Sequence, residues 1–208
     1  YIIQIIKFRN ERIIFYAYIN PLGYVPAWSH GHSDLGGYIL YLDGQCILIG
    51  TGRKNYLHYP GADYWRSAKS HNSITIDNKG LCPVHGLDSL PEFILPDYFQ
   101  KPVVEIKKQK DCNSFEIKLS VKMIISYGED VKVSRKFLIN DDVMTIEDKV
   151  TGKGEHLISS CFHFPANLHL ESNVNNPSEF TLFDNSHKQR LLFSWPKENY
   201  GEMISYTK

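Results

Sequence analysis

The sequence predicts an all-β fold, in which antiparallel strands form a β-sandwich. Three observations support this prediction. Apolar and polar residues alternate with a period of two over long stretches, as in strands with one buried and one solvated face. Short polar turn sequences separate these stretches at regular intervals. No long segment shows the 3.6-residue period of a helix, so many strands with few helices favour a sandwich.

The first half of the chain is predicted to be β from its opening residues, which form an apolar segment that we interpret as a strand. Further strands are predicted over residues 13–19, 37–42, 46–50 and 73–77. Asp43-Gly44 lies between two of them and is a strong hairpin signal. The segment from Leu90 to Gln100 contains prolines and is predicted to be a loop.

The second half shows the clearest alternation. Strands are predicted there over residues 115–127, 131–139, 143–150 and 157–164. In the second of these, the apolar positions form the series Val131, Val133, Phe137 and Ile139, and Arg135 falls in the same series. Polar turns with Gly, Asp or Asn separate the four strands. Four consecutive strands with such turns predict an antiparallel meander.

Length and charge restrict the function classes. The 208 residues suit one sizeable domain, and no apolar run is long enough to span a membrane. The 23 basic and 23 acidic residues cancel, which argues against binding nucleic acid by bulk electrostatics. The four cysteines form no CxxC pair, which excludes a zinc ribbon. Because both ends look like strands in mid-fold, we expect a single domain over residues 1–208, truncated at both ends.

The densest group of candidate functional residues is the loop from Trp28 to Asp34. His30 and His32 are separated by Gly31, and residues two apart in a strand point from the same face. The two histidines can therefore share a metal, or one can bind a metal while the other faces a substrate. Imidazole suits zinc, and Asp34 can be a ligand or orient a ring. The alternative is a polar surface loop without a metal.

A second group lies at residues 64–73. The Arg66 guanidinium can pair with a carboxylate in two parallel hydrogen bonds. Tyr64 and Trp65 offer flat faces on which a sugar ring can stack, although packing in the core or at a sheet edge is the alternative. His71 lies two residues before the predicted strand 73–77, whereas His163 lies within a predicted strand and is expected to be a core or cleft residue.

Taken in order, these motifs resemble the heparinase II/III family of polysaccharide lyases. The resemblance covers about residues 20 to 80, and it is looser in the later strands. It depends on His30-Gly31-His32-Ser33-Asp34, the hairpin at Asp43-Gly44, Tyr64-Trp65-Arg66-Ser67, and His71-Asn72-Ser73. It implies the C-terminal β-sandwich domain of an enzyme that cleaves uronic-acid-containing glycans by β-elimination. The family's N-terminal helical toroid is absent from this sequence.

The resemblance also implies roles for individual residues. His30 is expected at the catalytic cleft, and His32 and His71 are expected to bind a divalent metal, often zinc. Arg66, Tyr64, Trp65 and Asn72 are expected to bind substrate. The family's carboxylate ligand is expected at the end of the strand after the hairpin, where this chain has Gly50. Asp34 or a water could replace that carboxylate, or hydrogen bonds alone could hold an empty site.

Further expectations follow from the same resemblance. They are an acidic polysaccharide as substrate, a helical toroid as partner domain, and a periplasmic or extracellular location. Two alternatives remain at this point. One is a carbohydrate-binding or structural β-sandwich without catalysis. The other is a metallo-β-lactamase-like hydrolase, but its motif needs a histidine where Leu35 stands, and its fold needs alternating strands and helices.

Overall fold

The computed structural model describes residues 5–19, 32–52, 61–81, 103–108, 114–126 and 129–195. These residues are mostly strand and turn, and all their strand pairs are antiparallel. Two short 3₁₀ segments, Ala62–Arg66 and Ala68–Ser70, are the helical turns of the described part. The predicted all-β class is therefore confirmed. The chain divides into two compact units, residues 1–163 and 164–208, so the single-domain assignment stays a prediction.

The first sheet of unit 1 contains four strands in the order β1-β2-β3-β4. They are β1 (Ile5–Arg9), β2 (Ile13–Tyr18), β3 (Tyr38–Leu42) and β4 (Gln45–Leu48). The predicted hairpin joins β3 to β4, and both of its turn residues, Asp43 and Gly44, have positive φ. Asp followed by Gly tolerates this backbone, which matches the twist of the flanking strands.

Two further sheets belong to unit 1. The second contains β7 (Val103–Lys108), β8 (Ser114–Ser126), β9 (Glu129–Asn140) and β10 (Val143–Thr151), in the order β10-β9-β8-β7. The third contains β5 (Ile74–Ile76), β6 (Lys79–Gly80) and β11 (Ile158–Ser160), in the order β11-β5-β6. The turn at Asp77 and Asn78 joins β5 to β6.

The predicted meander is correct for three of its four strands and wrong for the last. The segment 157–164 is strand only at Ile158–Ser160, and it pairs with β5 instead of β10. Every residue of β5 is buried, so its backbone needs a partner on each edge. Asp77 holds the approaching chain, because its carboxylate accepts from the Leu157 N–H and from His156 Nδ1, each at 2.8 Å.

The two four-stranded sheets of unit 1 pack face to face and so form a sandwich. Their inner faces meet through aromatic rings. The ring centroids are 5.1 Å apart for Phe8 and Phe115, 5.2 Å for Phe15 and Phe137, and 5.4 Å for Tyr38 and Phe137. Tilted and offset aromatic pairs at such distances stabilise a core beyond the area they bury. The predicted sandwich is thus built from the alternating inward positions of both sheets.

A second part of this core joins the third sheet to the second. It contains the buried residues Leu35, Ile74, Ile76, Leu81, Leu119, Val131 and Val133. Leu35 comes from the loop before β3, so the chain segment that carries His32 is fixed at its other end by core packing. The sequence motifs therefore lie on a segment with a rigid support.

Unit 2 is a three-stranded antiparallel sheet. Its strands are β12 (Leu168–Ser172), β13 (Glu179–Asp184) and β14 (Gln189–Ser194), in the order β12-β13-β14. Phe180 stacks on Trp195 with centroids 4.9 Å apart, and Phe164 meets Phe193 edge to face at 5.6 Å. These aromatic pairs and the buried Leu182 form its apolar side.

Candidate functional site

The two histidine-bearing segments converge in the structure. Nδ1 of His32 lies 3.2 Å from Nε2 of His71, although the two residues are 39 positions apart in sequence. Their ring centroids are 5.2 Å apart, and the ring planes are inclined at 50°. The backbone also joins the two segments, because the Ser33 N–H donates to the Arg66 carbonyl at 2.8 Å. The site is therefore held by both side chains and main chain.

Asn72 fixes the backbone on which His71 lies. Its side chain is 1% exposed. The amide nitrogen donates to the Tyr38 carbonyl at 2.8 Å and to the Ile49 carbonyl at 2.9 Å, and the amide oxygen accepts from the His163 N–H at 2.7 Å. One buried amide thus joins the start of β3, the end of β4 and the segment after β11. Substrate binding by Asn72 stays a prediction, while its amide group binds the backbone in this structure.

His71 is held neutral by its surroundings. Burial, together with the nearby His32 and His163, lowers the pKa of His71 to about 3. A neutral imidazole keeps a lone pair that can accept a hydrogen bond or bind a metal. His163 belongs to the same neighbourhood, where its Nε2 donates to the Lys69 carbonyl at 2.9 Å. The alternation of apolar and polar residues around His163 could not predict this contact, because its partner is a backbone carbonyl that any residue could supply.

The ring geometry fits a shared metal as well as a direct hydrogen bond. Two nitrogens bound at about 2.0–2.1 Å to one tetrahedral zinc lie roughly 3.3–3.4 Å apart. The observed distance of 3.2 Å is near that value, and it is also a hydrogen-bond distance between one donating and one accepting imidazole. Within the described ranges, no cluster of three or more His, Cys, Asp or Glu side chains is arranged to hold a metal.

Three other positions were expected at the site: His30, Asp34 and Gly50. His30 lies outside the described residues. Burial raises the pKa of Asp34 to about 7, and its backbone carbonyl accepts from the Gly37 N–H. Both neighbours of Gly50 are held by hydrogen bonds. The Ile49 carbonyl accepts from the Asn72 amide nitrogen, and Thr51 Oγ1 donates to the Ser70 carbonyl at 2.5 Å. Position 50 is thus beside the segment that carries His71, but it supplies no side-chain ligand.

The predicted substrate-binding aromatics lie on the 3₁₀ segment Ala62–Arg66. Tyr64 is 43% exposed, and its ring meets that of the half-buried Trp65 edge to face, with centroids 5.6 Å apart. An exposed aromatic pair of this kind can stack against a sugar ring. Arg66 contributes its carbonyl to Ser33, as described above. Substrate binding by these three residues stays a prediction.

Gly80 allows the loop with His32 to lie against β6. A Cβ at this position would lie 1.9 Å from Ser33 Oγ and 2.8 Å from Ala68 Cβ. Gly80→Ala is therefore expected to lower the free energy of unfolding by about 1–3 kcal/mol, as overpacking does. Urea unfolding measures this. Gly50→Ala is the matched control, because the one described residue that a Cβ there would meet is Ile39, at an ordinary 3.6 Å. Equal stability of the two variants would contradict the packing described here.

Comparison with known proteins gives a family and a fold. The family model described as heparinase II/III-like, C-terminal, matches residues 4–203. A heparinase III gene product of solved structure shares 17% identity with a TM-score of 0.64, over 86% of this chain and 25% of that chain. The heparan sulfate lyase HepC from Pedobacter heparinus shares 13% identity with a TM-score of 0.66, over 88% and 26%. No curated protein sequence matches the chain.

The chain spans about a quarter of the length of these solved structures. At these low sequence identities, the structural similarity shows a shared fold and no more. In the part of the chain that the structure describes, no helix has the length and apolar character needed to cross a membrane. The described residues also lack the alternating strands and helices that a metallo-β-lactamase-like hydrolase needs.

Proposed function

Because the chain belongs to the heparinase II/III-like C-terminal family, we propose that it is the β-sandwich domain of a polysaccharide lyase and supplies part of its active site. The observation that carries this proposal is the convergence of His32 and His71, with facing nitrogens 3.2 Å apart. The proposed substrates are acidic glycans that contain uronic acid, cleaved by β-elimination. A periplasmic or extracellular location, where such glycans occur, is part of the proposal.

The chemistry of β-elimination defines what the site must do. A base removes the proton at C5 of the uronate, positive or hydrogen-bonding groups neutralise its carboxylate, and an acid protonates the leaving glycosidic oxygen. Histidine suits either proton transfer because its ordinary pKa is near neutrality. His30, the residue proposed to transfer the proton, is two residues from His32 in the loop. The contact of His32 with His71 therefore fixes the chain close to His30.

His32 and His71 have a positioning role in this proposal. Their ring contact holds the loop against the segment before β5, and Ser33 adds a main-chain bond to Arg66. The same two residues would hold a divalent metal, which when bound would supply a fixed positive charge near the substrate carboxylate. Gly50 supplies no side-chain ligand for such a metal. In the absence of a metal, the direct hydrogen bond between the His32 and His71 rings holds the loop in the same place.

The other catalytic groups are proposed to lie outside this chain. In enzymes similar to this family, the acid/base tyrosine and the residue that neutralises the uronate come from a preceding helical toroid. The present chain covers about a quarter of each related structure. We propose that a toroid domain completes the site and that the 208 residues alone do not cleave substrate.

Ultraviolet absorbance of the unsaturated uronate product tests this function. A longer protein that joins a toroid to this chain is expected to cleave heparan sulfate, and its His30→Ala variant is expected to lose about 10²–10⁴-fold in rate, the usual contribution of one acid or base. The 208-residue chain should give no product. Turnover by the isolated chain would contradict the proposal. Full activity of His30→Ala would favour the alternative, a binding module whose site lost its carboxylate at Gly50.

A further inference from the structure

The outer face of the first sheet carries a group of aromatic and cationic side chains. Strand β2 alternates strictly: Ile13, Phe15 and Ala17 are buried, while the residues between them are half-buried. The opposite face of the sheet therefore carries the side chains of Ile14, Tyr16, Tyr18, Ile39 and Tyr41, which we call the tyrosine face. Lys7 and Arg9 lie at its side, on β1.

Ring and cation contacts show that these side chains share one surface. Lys7 lies opposite Tyr16 in the strand register, and its Nζ is 5.4 Å from the centre of the Tyr16 ring. Tyr16 meets Tyr41 from the neighbouring strand edge to face, with centroids 6.4 Å apart. Aromatic faces with a cation beside them are suited to sugar rings that carry negative charge.

The charge of this sheet is one-sided. Strands β1 to β4 contain no Asp or Glu, whereas Lys7 and Arg9 are exposed on β1. Neither cation forms an ion pair with a described residue. On the second sheet, by contrast, Lys107 and Lys136 both pair with Glu116. In a chain of zero formal net charge, Lys7 and Arg9 therefore form a small positive patch on β1, and positive charge attracts a polyanion.

One end of the tyrosine face adjoins the loop between His32 and β3. Tyr18, at the end of β2, donates its N–H to the Gly37 carbonyl and accepts at its own carbonyl from the Gly36 N–H, both at 2.9 Å. Gly36 and Gly37 belong to the same loop as His32. Tyr16 follows two residues back along the strand, at about 6.6–6.8 Å for two extended residues. These backbone hydrogen bonds place the Tyr18 end of the tyrosine face beside the loop that carries His32.

We propose that the tyrosine face is a binding surface for an acidic glycan and extends the candidate site along strand β2. The proposal deepens the lyase function and rests on it for the identity of the glycan. A second copy of the chain or another domain could also cover an aromatic face. Two exposed cations with no carboxylate in the four strands favour a polyanion, because an uncharged partner would bury Lys7 and Arg9 without compensation.

Binding of a fluorescent heparin oligosaccharide to the 208-residue chain, measured by anisotropy at several salt concentrations, tests the proposal. The double variant Lys7→Gln/Arg9→Gln should bind at least about tenfold more weakly, with a smaller salt dependence. Tyr16→Leu should weaken binding about threefold or more by removing the stacking face. Lys132→Gln, which removes one exposed cation from β9, is the control and should bind like the wild type. Circular dichroism checks that each variant is folded.

The outcomes separate this proposal from the lyase function. Unchanged binding in the Lys7/Arg9 and Tyr16 variants would overturn it, as would equal binding of an uncharged dextran. Concentration-dependent dimerisation that the same substitutions abolish would assign the face to a second copy instead. Loss of lyase activity in His30→Ala with heparin binding retained supports the face as a separate binding surface. A protein with a toroid that cleaves no glycan, but binds heparin through Lys7 and Tyr16, would overturn only the lyase function.

Discussion

Replacing Asp148 with Ala is expected to lower the free energy of unfolding by about 3–5 kcal/mol, because it leaves a buried cation without its partner. Arg135 is 2% exposed in the core between β9, β10 and the loop before β3. Its Nε and Nη2 donate to the two Asp148 oxygens at 2.8 and 2.9 Å, and Nη1 donates to the Gly36 carbonyl at 2.9 Å. The pair thus fixes the loop that leads from His32 to β3.

Two controls separate burial from charge. Arg12 forms ion pairs with Asp43 and Asp142 but is 54% exposed, so Arg12→Ala should lower the free energy of unfolding far less than Asp148→Ala does. Replacing both partners, as Arg135→Met with Asp148→Leu, should recover most of the loss, because no charge is then left buried. Urea unfolding at neutral pH measures all three variants. An Asp148→Ala variant no less stable than Arg12→Ala would show that the ion pair does not support the core.

Arg135 also shows how far the sequence predicts the fold. Its position in the series Val131, Val133, Phe137 and Ile139 places it on the buried face of β9, which the structure confirms. The alternation could not identify Asp148 as its partner, because a period of two fixes the face and not the neighbour. Pairing of β11 with β5 was missed for the same reason. The local turn sequences favoured pairing of this strand with β10. It pairs with β5 because β5 is fully buried and needs a hydrogen-bonding partner on each edge.

The candidate site was predicted in part. The resemblance to the heparinase II/III family implied that His32 and His71 would meet as metal ligands; the structure brings the two rings together, and metal binding stays a prediction. The function of Asn72 as a link between three backbone segments was not predictable, because its partners are carbonyl and amide groups that every residue has. The interaction of His163 with the Lys69 carbonyl was hidden in the same way. Motifs report side-chain chemistry, whereas the support around it uses the main chain.

Restoring a carboxylate at position 50 is expected to raise zinc affinity by at least about tenfold, equivalent to about 1.4 kcal/mol. His32 and His71 already place two nitrogens at a distance that suits one zinc, and a catalytic zinc site usually has three protein ligands. Gly50→Asp would add the third. The position accepts a side chain, because among the described residues a Cβ there would meet Ile39 alone, at 3.6 Å, and its φ is not in the left-handed region. Thr51, bonded to Ser70, keeps it beside the His71 segment.

Zinc titration by calorimetry compares Gly50→Asp with the wild type and with Gly50→Ala, which tests for an effect of the added Cβ alone. The double variant Gly50→Asp/His71→Ala should lose the gain, since the new carboxylate acts only together with the two imidazoles. Gly50→Asn should recover little, because a neutral amide is a poor zinc ligand next to a carboxylate. If Gly50→Asp binds zinc no more tightly than Gly50→Ala, position 50 does not face the histidine pair. The hydrogen bond between His32 and His71 and the main-chain bond from Ser33 to Arg66 would then join the two segments without a metal.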